Sequence, residues 1–367
     1  MSIRVLVVDD TVVFRRIVSD ALAGLPGVEV VGTAANGKLA LSRIAALEPD
    51  LVTLDIEMPE MNGIEVLEAM GRAGLMAGVI VLSALTTRGG EMTVRALELG
   101  AFDFITKPEG GTPAGNIAKL RGDLQPMVRA FERRRDIRLI LKGTPGPPPR
   151  SDVPPARPVS AAPERTLVRR QRNGSPLVLI GVSTGGPAAL GNLLPALPGD
   201  LGAPVFIVQH MPALFTKPLA ASLDRKSAVR VGEAQDGTIA QPNCAYLAPG
   251  GLQMKLEAGP RGEAILRLTD DPPENGCKPA VDYLFRSAAL QFPGRSVAAI
   301  LTGMGNDGTA GLRMLKRGGC SSIAQDEASC VVFGMPKEAI AAGLIDTVAP
   351  LDRIAAAIVR SVREGAA

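Results

Sequence analysis

The sequence predicts an α/β protein with two units, each built around a largely parallel sheet. Three observations predict this class. The 367 residues exceed the usual size of one hydrophobic core. In both halves, short β-branched apolar runs alternate with amphipathic stretches, as in chains that wind helices around a sheet. A proline-rich stretch between the halves lacks large apolar residues. We therefore divide the chain into residues 1–141, a linker 142–176, and residues 177–367.

The first half contains five apolar runs of strand length with helical periodicity between them. The strands are predicted at Ile3–Val8, Val28–Thr33, Leu51–Leu54, Gly78–Leu82 and Phe102–Thr106. Helices are predicted at Val12–Leu25, Lys38–Glu48 and Thr93–Leu99. Five alternating units in about 130 residues indicate a five-stranded parallel sheet of the flavodoxin-like type.

The second half repeats this alternation and predicts a doubly wound unit. Strands are predicted at Leu177–Val182, Val205–Gln209, Ala264–Thr269, Val297–Leu301 and Ser321–Ala324, with helices at Pro187–Leu197, Pro212–Asp224, Ala280–Leu290 and Thr309–Lys316. Between Ala245 and Asp270, glycine pairs punctuate short alternating runs, which is typical of a hairpin. A mixed sheet is therefore expected in this half.

Charge and composition exclude several classes of function. The formal net charge is +3, and the linker holds seven basic and two acidic residues, so both predicted units are close to neutral. The near-neutral units argue against a basic face for duplex nucleic acid without excluding it. Nine Phe, two Tyr and no Trp argue against a stacking platform for single strands. No apolar run approaches the roughly 20 residues that cross a bilayer, and no signal-peptide pattern is present, so we expect a cytoplasmic protein without membrane insertion. The basic linker is either an inert tether or a docking strip.

Acidic side chains mark the strand ends of the first half. Asp9 and Asp10, then Asp55, Ser83 and Lys107, each follow a predicted strand. Because the carboxyl ends of parallel strands meet in one crevice, these groups should converge. Three carboxylates in one crevice favour a hard divalent cation, and a hydroxyl with a lysine suits an oxyanion. The set is that of phosphoryl transfer to a carboxylate, with Asp55 as acceptor.

Residues 1–125 resemble a response-regulator receiver domain. The resemblance is carried by Val7-Val8-Asp9-Asp10, by Leu54-Asp55-Ile56-Glu57-Met58-Pro59, by Ser83-Ala84 and by Phe104-Ile105-Thr106-Lys107-Pro108. It implies that Asp55 is phosphorylated by a histidine kinase, with Mg²⁺ bound by Asp9, Asp10, Asp55 and the backbone carbonyl of Glu57. It also implies that Ser83 and Lys107 support the phosphoryl group and that Phe104 changes orientation on phosphorylation.

A second candidate site lies at three strand ends of the second half. Ser183 follows a strand in Gly181-Val182-Ser183-Thr184-Gly185, which matches the G-x-S-x-G turn that exposes a nucleophile. His210, the single histidine, ends the next strand and is the natural general base. Asp307 follows a third strand and would orient the imidazole. A Gly-rich turn and a structural histidine are the plainer alternatives for the first two.

The same turn also fits a nucleotide-binding pattern. Gly303, Gly305 and Gly308 satisfy G-x-G-x-x-G, and Asp326 follows where a ribose-binding acid would stand. Against a dinucleotide site, the motif comes late in the unit, and Asp307 would place a carboxylate inside the turn meant for pyrophosphate.

With these segments, residues 177–355 resemble the catalytic domain of the chemotaxis protein-glutamate methylesterase (CheB) family. Further matching stretches run over residues 270–273, 281–289 and 324–340. The resemblance implies a catalytic triad of Ser183, His210 and Asp307, with Thr184 and the Met304 amide near the oxyanion. It implies methylesterase activity on glutamate esters of methyl-accepting chemoreceptors, glutaminase activity, and no cofactor for the esterase.

Two positions depart from the family pattern, and one alternative class stays open. Cys277 and Gln253 stand where family members often carry His. Both lie outside the expected triad, so they bear on substrate choice. A response regulator with a binding output, such as DNA, is the alternative from another class. In the favoured hypothesis, the unphosphorylated receiver covers the Ser183 cleft and phosphorylation uncovers it.

Overall fold

The computed structural model describes residues 2–142 and 175–366. Most of the predicted linker lies outside the described residues. The prediction of an α/β chain with two sheet-based units is confirmed. Among the described helices, none combines the length and the apolar character that a membrane span requires.

The N-terminal unit is a five-stranded parallel sheet of order β2-β1-β3-β4-β5 with helices on both faces. Its central strands are buried throughout, as apolar runs enclosed by helices should be. The elements are β1 Ile3–Val8, α1 Val12–Ala23, β2 Val28–Ala34, α2 Gly37–Leu47, β3 Leu51–Asp55, α3 Gly63–Ala73, β4 Gly78–Ser83, α4 Thr87–Glu98, β5 Asp103–Thr106 and α5 Pro113–Lys142.

Local sequence sets how the loop after Asp55 enters its helix. The Asn62 side chain accepts hydrogen bonds from the Ile64 and Glu65 amides, and the Glu65 carboxylate accepts one from the Asn62 amide. This capping box satisfies the first free amides of α3. Gly63 packs against the Asp55 carbonyl, where a Cβ atom would come within 2.6 Å. The loop is therefore held tightly beside the acidic strand end.

The C-terminal unit is a seven-stranded parallel sheet of order β14-β13-β12-β6-β7-β9-β8. Its elements are β6 Leu177–Val182, α6 Gly186–Leu193, β7 Val205–Gln209, α7 Ala213–Asp224, β8 Arg230–Glu233, β9 Cys244–Leu247, β10 Gln253–Ala258, β11 Ala264–Thr269, α8 Val281–Gln291, β12 Ser296–Ile300, α9 Thr309–Arg317, β13 Ser321–Gln325, α10 Met335–Ala341, β14 Thr347–Ala349 and α11 Leu351–Ala366. Strands β6, β7 and β12 are fully buried and lie side by side at its centre.

Antiparallel pairing occurs in the predicted hairpin. Strands β10 and β11 pair antiparallel through the turn at residues 259–262 and form a separate two-stranded sheet. The antiparallel strands expected in this half are present, but they form a sheet of their own and the large sheet is parallel throughout, so the expected mixed sheet is two sheets. The sequence analysis did not identify β8, β9 or β14, which are only three or four residues long and lie towards the sheet edges.

The two units meet along a seam between α4 of the first unit and α6 and α7 of the second. The backbones approach closely, since a Cβ atom at Gly90 of α4 would lie 2.5 Å from the Leu214 carbonyl oxygen. Phe104 of β5 stacks at 4.6 Å between ring centroids on Phe215 of α7. Glu98 forms an ion pair at 2.8 Å with Lys226. The seam thus combines close backbone packing, an aromatic contact and a charge pair.

Candidate active sites at two sheet edges

The acidic residues of the first unit converge as the sequence predicts. One ligand oxygen from each of Asp9, Asp10 and Asp55 lies within 4.8 Å of the others. Asp9 and Asp55 are buried, whereas Asp10 is exposed. Lys107 Nζ lies 2.7 Å from Asp9 and 2.8 Å from Asp55. The carboxyl ends of β1, β3 and β5 therefore share one charged centre.

Burial dominates the electrostatics of this centre, with Lys107 as the main opposing effect. Burial raises the pKa of Asp55 to about 6, because the lowering effect of Lys107 does not compensate and the Asp9 charge adds repulsion. Burial opposes the charge of Lys107, yet Asp55 and Asp9 hold its pKa above the usual value. One lysine thus balances two buried carboxylates only in part.

This donor set fits a hard divalent cation. Clustered carboxylate oxygens with one solvent-facing member are what Mg²⁺ takes in proteins, because it retains several of its waters. The Glu57 amide donates to Asp55 Oδ1 at 3.2 Å, so this loop also contacts the acceptor carboxylate. The role expected for the Glu57 carbonyl stays a prediction.

The other two receiver residues lie at neighbouring strand ends. Ser83 is buried at the end of β4, where its hydroxyl accepts from Thr93 at 2.8 Å. Phe104 is buried in β5, and its ring faces Phe215 of the second unit. The predicted support residue and the predicted reporter aromatic therefore lie on the side of the receiver that meets the seam.

Ser183 occupies a strand-to-helix turn in the second unit. Its amide donates to the Thr302 carbonyl at 3.0 Å, and its carbonyl accepts from the Gly186 amide at 2.8 Å. Gly185 adopts φ +77°, and a Cβ atom there would lie 2.4 Å from Val331, so the turn requires glycine for two reasons. The sequence pattern of the nucleophile turn is thus matched by its backbone geometry.

His210 and Asp307 form a hydrogen-bonded pair beside this turn. His210 Nε2 lies 2.7 Å from Asp307 Oδ2, and both side chains are largely buried. In the described part of the chain, Ser183 Oγ makes no hydrogen bond with the imidazole, whose other nitrogen, Nδ1, faces Cys277 Sγ at 3.5 Å. Ser183, Thr184, His210 and Met304 all line one cavity.

Asp307 is held by a web of donors. Its Oδ1 accepts from Asn275 Nδ2 and from the Asp282 and Gly308 amides, each at 3.0 Å. Its Oδ2 also accepts from the Val281 amide at 2.7 Å. Burial works against ionisation, but the His210 contact and these amides keep the pKa of Asp307 below its usual value. The carboxylate is therefore fixed and charged before any substrate arrives.

The state of His210 follows from its two contacts. Burial lowers the pKa of the imidazole, but Asp307 and Cys277 outweigh burial and raise it to about 9. The resting imidazole is therefore predominantly protonated at neutral pH.

The hydrogen bonds around Asp307 also argue against a dinucleotide site in this turn. The carboxylate of Asp307 fills the turn 303–308 where a pyrophosphate would meet negative charge. Asp326 Oδ1 accepts from the Ser329 amide and hydroxyl, which makes it the acceptor of a local turn. The geometry therefore does not favour a dinucleotide site.

Sequence reasoning missed the turn that supports the triad. Asn275 and Gly276 both have positive φ and connect the paired residues Glu274 and Cys277 in a two-residue hairpin. Asn-Gly is the strongest short signal for such a turn, so the dipeptide could have been identified. It places Asn275 on Asp307 and the Cys277 thiol on His210. Cys277, expected to lie apart from the triad, contacts its base.

Two glutamines act as positioning residues. Gln209 Nε2 donates to the carbonyls of Ser183 and His210, both at 3.0 Å, and so ties the two strand ends together. Gln253 is fully buried, and its amide contacts the Pro272 carbonyl and the Ala280 amide on either side of the Cys277 turn. Neither role leaves a sequence motif, because both depend on contacts between distant segments.

The receiver covers the cavity beside Ser183 and His210. The cavity beside Ser183 measures about 360 Å³ and is lined on its other side by Asp103, Phe104 and the middle of α5 around Asp123 and Pro126. Asp103 is fully buried there, which raises its pKa to about 6, although the Phe104 amide and the Thr184 side chain donate to it. A larger groove of about 910 Å³ runs between α5 and the residues around Met304.

Comparison with known proteins matches each half of the chain to a family. The response regulator receiver domain family matches residues 5–113, and the CheB methylesterase family matches residues 178–358. The chain is 51% identical over 363 residues to the protein-glutamate methylesterase/protein-glutamine glutaminase of Desulfotalea psychrophila and 43% identical over 367 residues to that of Bacillus subtilis, with 99% of each chain covered.

A solved structure supports the fold of the second half. The crystal structure of the Thermotoga maritima CheB methylesterase catalytic domain is 42% identical, with a TM-score of 0.50, and the match covers 51% of this chain and 98% of that one. A receiver unit, a methylesterase-type unit and full-length relatives of the same name together lead to one assignment. The chain belongs to the CheB methylesterase family, with an N-terminal response-regulator receiver domain.

Proposed function

We propose that this chain is a phosphorylation-activated serine hydrolase of the cytoplasm. It removes methyl groups from glutamate methyl esters of methyl-accepting chemoreceptors and hydrolyses glutamine side-chain amides on the same proteins. The observation that carries the proposal is the His210–Asp307 pair, at 2.7 Å, whose imidazole lines the same cavity as the turn of Ser183. The names of the full-length relatives support the substrate class.

In the proposed reaction, Ser183 Oγ attacks the ester carbonyl carbon and its proton passes to His210. The accepting atom is Nδ1, because Asp307 engages Nε2. Nδ1 must first lose the proton it holds at neutral pH, so the base works best as the pH approaches 9. Asp307 stabilises the imidazolium that forms.

The oxyanion of the tetrahedral intermediate needs donors that are not already in use. In the described ranges, the amides of Thr184 and Met304 make no backbone hydrogen bond, and both residues line the cavity at Ser183. We assign the oxyanion hole to these two amides. Collapse of the intermediate expels methanol, which takes its proton from His210.

Water completes the cycle. It attacks the acyl-enzyme, gives a proton to His210 and releases the glutamate carboxylate, while Ser183 regains its proton. With a glutamine substrate the same steps expel ammonia in place of methanol. No step calls for a metal or an organic cofactor at this site.

Phosphorylation belongs to the first unit. A histidine kinase supplies the phosphoryl group and the Asp55 carboxylate attacks phosphorus. Lys107, which already pairs with Asp55, and Ser83 would support the phosphoryl group of the product. Mg²⁺ held by Asp9, Asp10 and Asp55 would offset the negative charge of the phosphoryl oxygens. The close approach of these three carboxylates supports this role, since among the described residues only Lys107 forms an ion pair with Asp9 and Asp55.

The seam supports inhibition of the esterase by the receiver. A cavity of about 360 Å³ is at the small end of ligand sites and cannot admit a receptor helix about 10 Å across. Phe104, Glu98 and Asp103 hold the receiver over it through Phe215, Lys226 and Thr184. We propose that phosphorylation of Asp55 weakens these contacts and shifts the population towards an open form.

Methanol release from membranes carrying methylated receptors tests the proposal. Wild type and Ser183→Ala would be compared with and without Mg²⁺ and acetyl phosphate. We expect release that depends on Ser183 and increases with the phosphodonor. If Asp55 is phosphorylated and no methanol is released under any condition, the hydrolase proposal is wrong and a binding output is favoured.

A further inference from the structure

The thiol of Cys277 completes a second chain of contacts through the same imidazole. Cys277 Sγ lies 3.5 Å from His210 Nδ1, and His210 Nε2 lies 2.7 Å from Asp307 Oδ2. Thiol, imidazole and carboxylate in this order form the arrangement by which a base activates a cysteine nucleophile. The hydrolase mechanism above uses His210 and Asp307 and leaves the thiol unexplained.

The position of this thiol is fixed by its surroundings. The turn at Asn275 and Gly276 carries Cys277, and the turn is anchored by an ion pair between Glu274 and Arg286. The Asn275 side chain reaches Asp307, so one short loop holds both ends of the arrangement. Cys277 itself is half-buried, which leaves part of its surface open to small solutes.

The other three cysteines have no comparable setting. Cys320 and Cys330 are buried, and burial together with nearby acids raises the pKa of Cys330 far above its usual value. Cys244 is half-buried like Cys277 but lies on β9 near Tyr246, with no histidine at hand. Cys244 therefore serves as a matched internal control.

We propose that Cys277 is a peroxide-reactive thiol whose oxidation to a sulfenic acid silences His210 as a base. The reactivity of the thiol is argued from the contacts of Cys277 with His210 and of His210 with Asp307. The loss of esterase activity on oxidation rests on the proposed function.

The charge on the imidazole supports this reactivity. Burial lowers the pKa of His210, but its contacts with Asp307 and Cys277 raise it to about 9. The imidazolium, with Nδ1 3.5 Å from Cys277 Sγ, is placed to pair with a thiolate, which is the form that attacks peroxides. The fixed Asp307 carboxylate keeps that imidazolium in place.

The reaction balances with hydrogen peroxide as the oxidant. The Cys277 thiolate attacks one peroxide oxygen, the O–O bond breaks, and the leaving hydroxide takes a proton from the imidazolium to become water. Sulfur loses two electrons and the peroxide gains them. A small dithiol reverses the change, because it reduces the sulfenic acid to the thiol with release of water and formation of its own disulfide.

The product would block the base directly. The added oxygen lies on Sγ, beside the only ring nitrogen that Asp307 does not hold. A sulfenic acid there can donate a hydrogen bond to Nδ1, which then no longer accepts the Ser183 proton. Activity should return when the thiol is restored.

Trapping with dimedone tests the thiol independently of esterase activity. The full-length protein is exposed to hydrogen peroxide with dimedone present, and labelling of each cysteine is followed by peptide mass spectrometry. We expect Cys277 to be labelled at least about tenfold faster than Cys244. His210→Gln should slow labelling of Cys277 by about tenfold and leave labelling of Cys244 unchanged. Asp307→Asn, which keeps the imidazole but removes the charge that holds it, should also slow labelling of Cys277.

Equal labelling of Cys277 and Cys244, or labelling of Cys277 that neither substitution slows, overturns the proposal.

Esterase assays then test whether oxidation of Cys277 inactivates the esterase: each variant is compared with its own untreated rate of methanol release. Wild type and Cys244→Ser should lose most of that rate with peroxide and regain it with dithiothreitol, and Cys277→Ser should keep it. If peroxide also lowers methanol release by Cys277→Ser, oxidation of Cys277 is not the cause of the lost esterase activity. Absence of methanol release before any treatment would contradict the proposed function instead and leave the labelling result valid.

Discussion

The two active centres of this chain lie at equivalent places in their sheets and are stabilised in opposite ways. In the receiver, Asp9 and Asp55 are buried together and one lysine offsets them, so the pKa of Asp55 rises to about 6. In the hydrolase unit, Asp307 accepts hydrogen bonds from four further donors besides His210, and its pKa falls.

This difference indicates what each centre needs in order to work. The receiver carboxylates repel one another until a cation and a phosphoryl group arrive, so the centre responds to added charge. The Asp307 web is complete without a ligand, so the triad holds its geometry throughout the reaction. In the proposed function, the first centre responds to added charge and the second catalyses with a fixed geometry.

The largest expected effect is loss of the fixed carboxylate. Asp307→Asn keeps the shape of the side chain but replaces the charge that holds the imidazolium, and we expect methanol release to fall by about 10³-fold or more. Asp282→Asn is the matched control, since Asp282 is a buried carboxylate of the same web that does not contact His210. A loss of similar size in both variants would mean that the web acts only through folding.

The receiver should lose its response and keep its basal activity when its charge sensor is removed. Asp55→Asn cannot form the acyl phosphate, so acetyl phosphate should no longer raise the rate of methanol release. In wild type we expect a rise of about tenfold, which corresponds to a shift of about 1.4 kcal/mol in the closed–open equilibrium. Chelation of Mg²⁺ should have the same effect as the substitution. Stimulation that persists in Asp55→Asn would contradict this assignment.

The pH dependence should report the raised pKa of His210. Below about 9 the imidazole carries a proton and cannot accept one from Ser183, so kcat/KM should increase with pH up to that value and fall about tenfold per unit below it. Cys277→Ser removes one of the contacts that raise this pKa, and the inflection should move to lower pH. Rates measured with Ser183→Ala at each pH correct for uncatalysed ester hydrolysis. An inflection near 6.5 in wild type would contradict the raising effect of Asp307 and Cys277 on the pKa of His210.

The smallest expected effect is on the seam between the units. Glu98 accepts from Ser222 and pairs with the partly exposed Lys226, and these contacts lower its pKa although burial opposes this. Glu98→Gln keeps a hydrogen bond and removes the charge pair. A partly exposed pair contributes up to about 1 kcal/mol, so basal methanol release should rise by up to about fivefold without phosphodonor. Glu257→Gln, which breaks the exposed pair with Arg267 on the hairpin, should leave the basal rate unchanged.

The positions of the main strands could be predicted because each is a buried, β-branched run. Strands β1, β3, β6 and β7 are such runs, and both faces of each are covered by helices. Strands β8 and β14 escaped prediction because they are short and half-exposed, so their pairing depends on neighbours that the local sequence does not name.

Prediction of the site from the sequence has the same limit, because contacts between distant segments are not visible in local sequence. Ser183, His210 and Asp307 could be identified because each follows a strand and carries distinctive chemistry. The contact between Cys277 and His210 could not, because it joins residues 67 positions apart through a turn. The roles of Gln209 and Gln253 also arise only from folded contacts. What the sequence leaves open is therefore which side chains meet across loops.

Strand β5 has a consequence for how quickly the two centres can communicate. Asp103, Phe104 and Lys107 lie within five consecutive residues, and they contact Thr184, Phe215 and Asp55 respectively. At about 3.3 Å per residue this stretch is about 13 Å long. Because Phe104 and Phe215 are both buried core residues, a displacement of this stretch must repack side chains of both units together. We therefore expect the exchange between closed and open forms to be limited by the repacking of this ring pair.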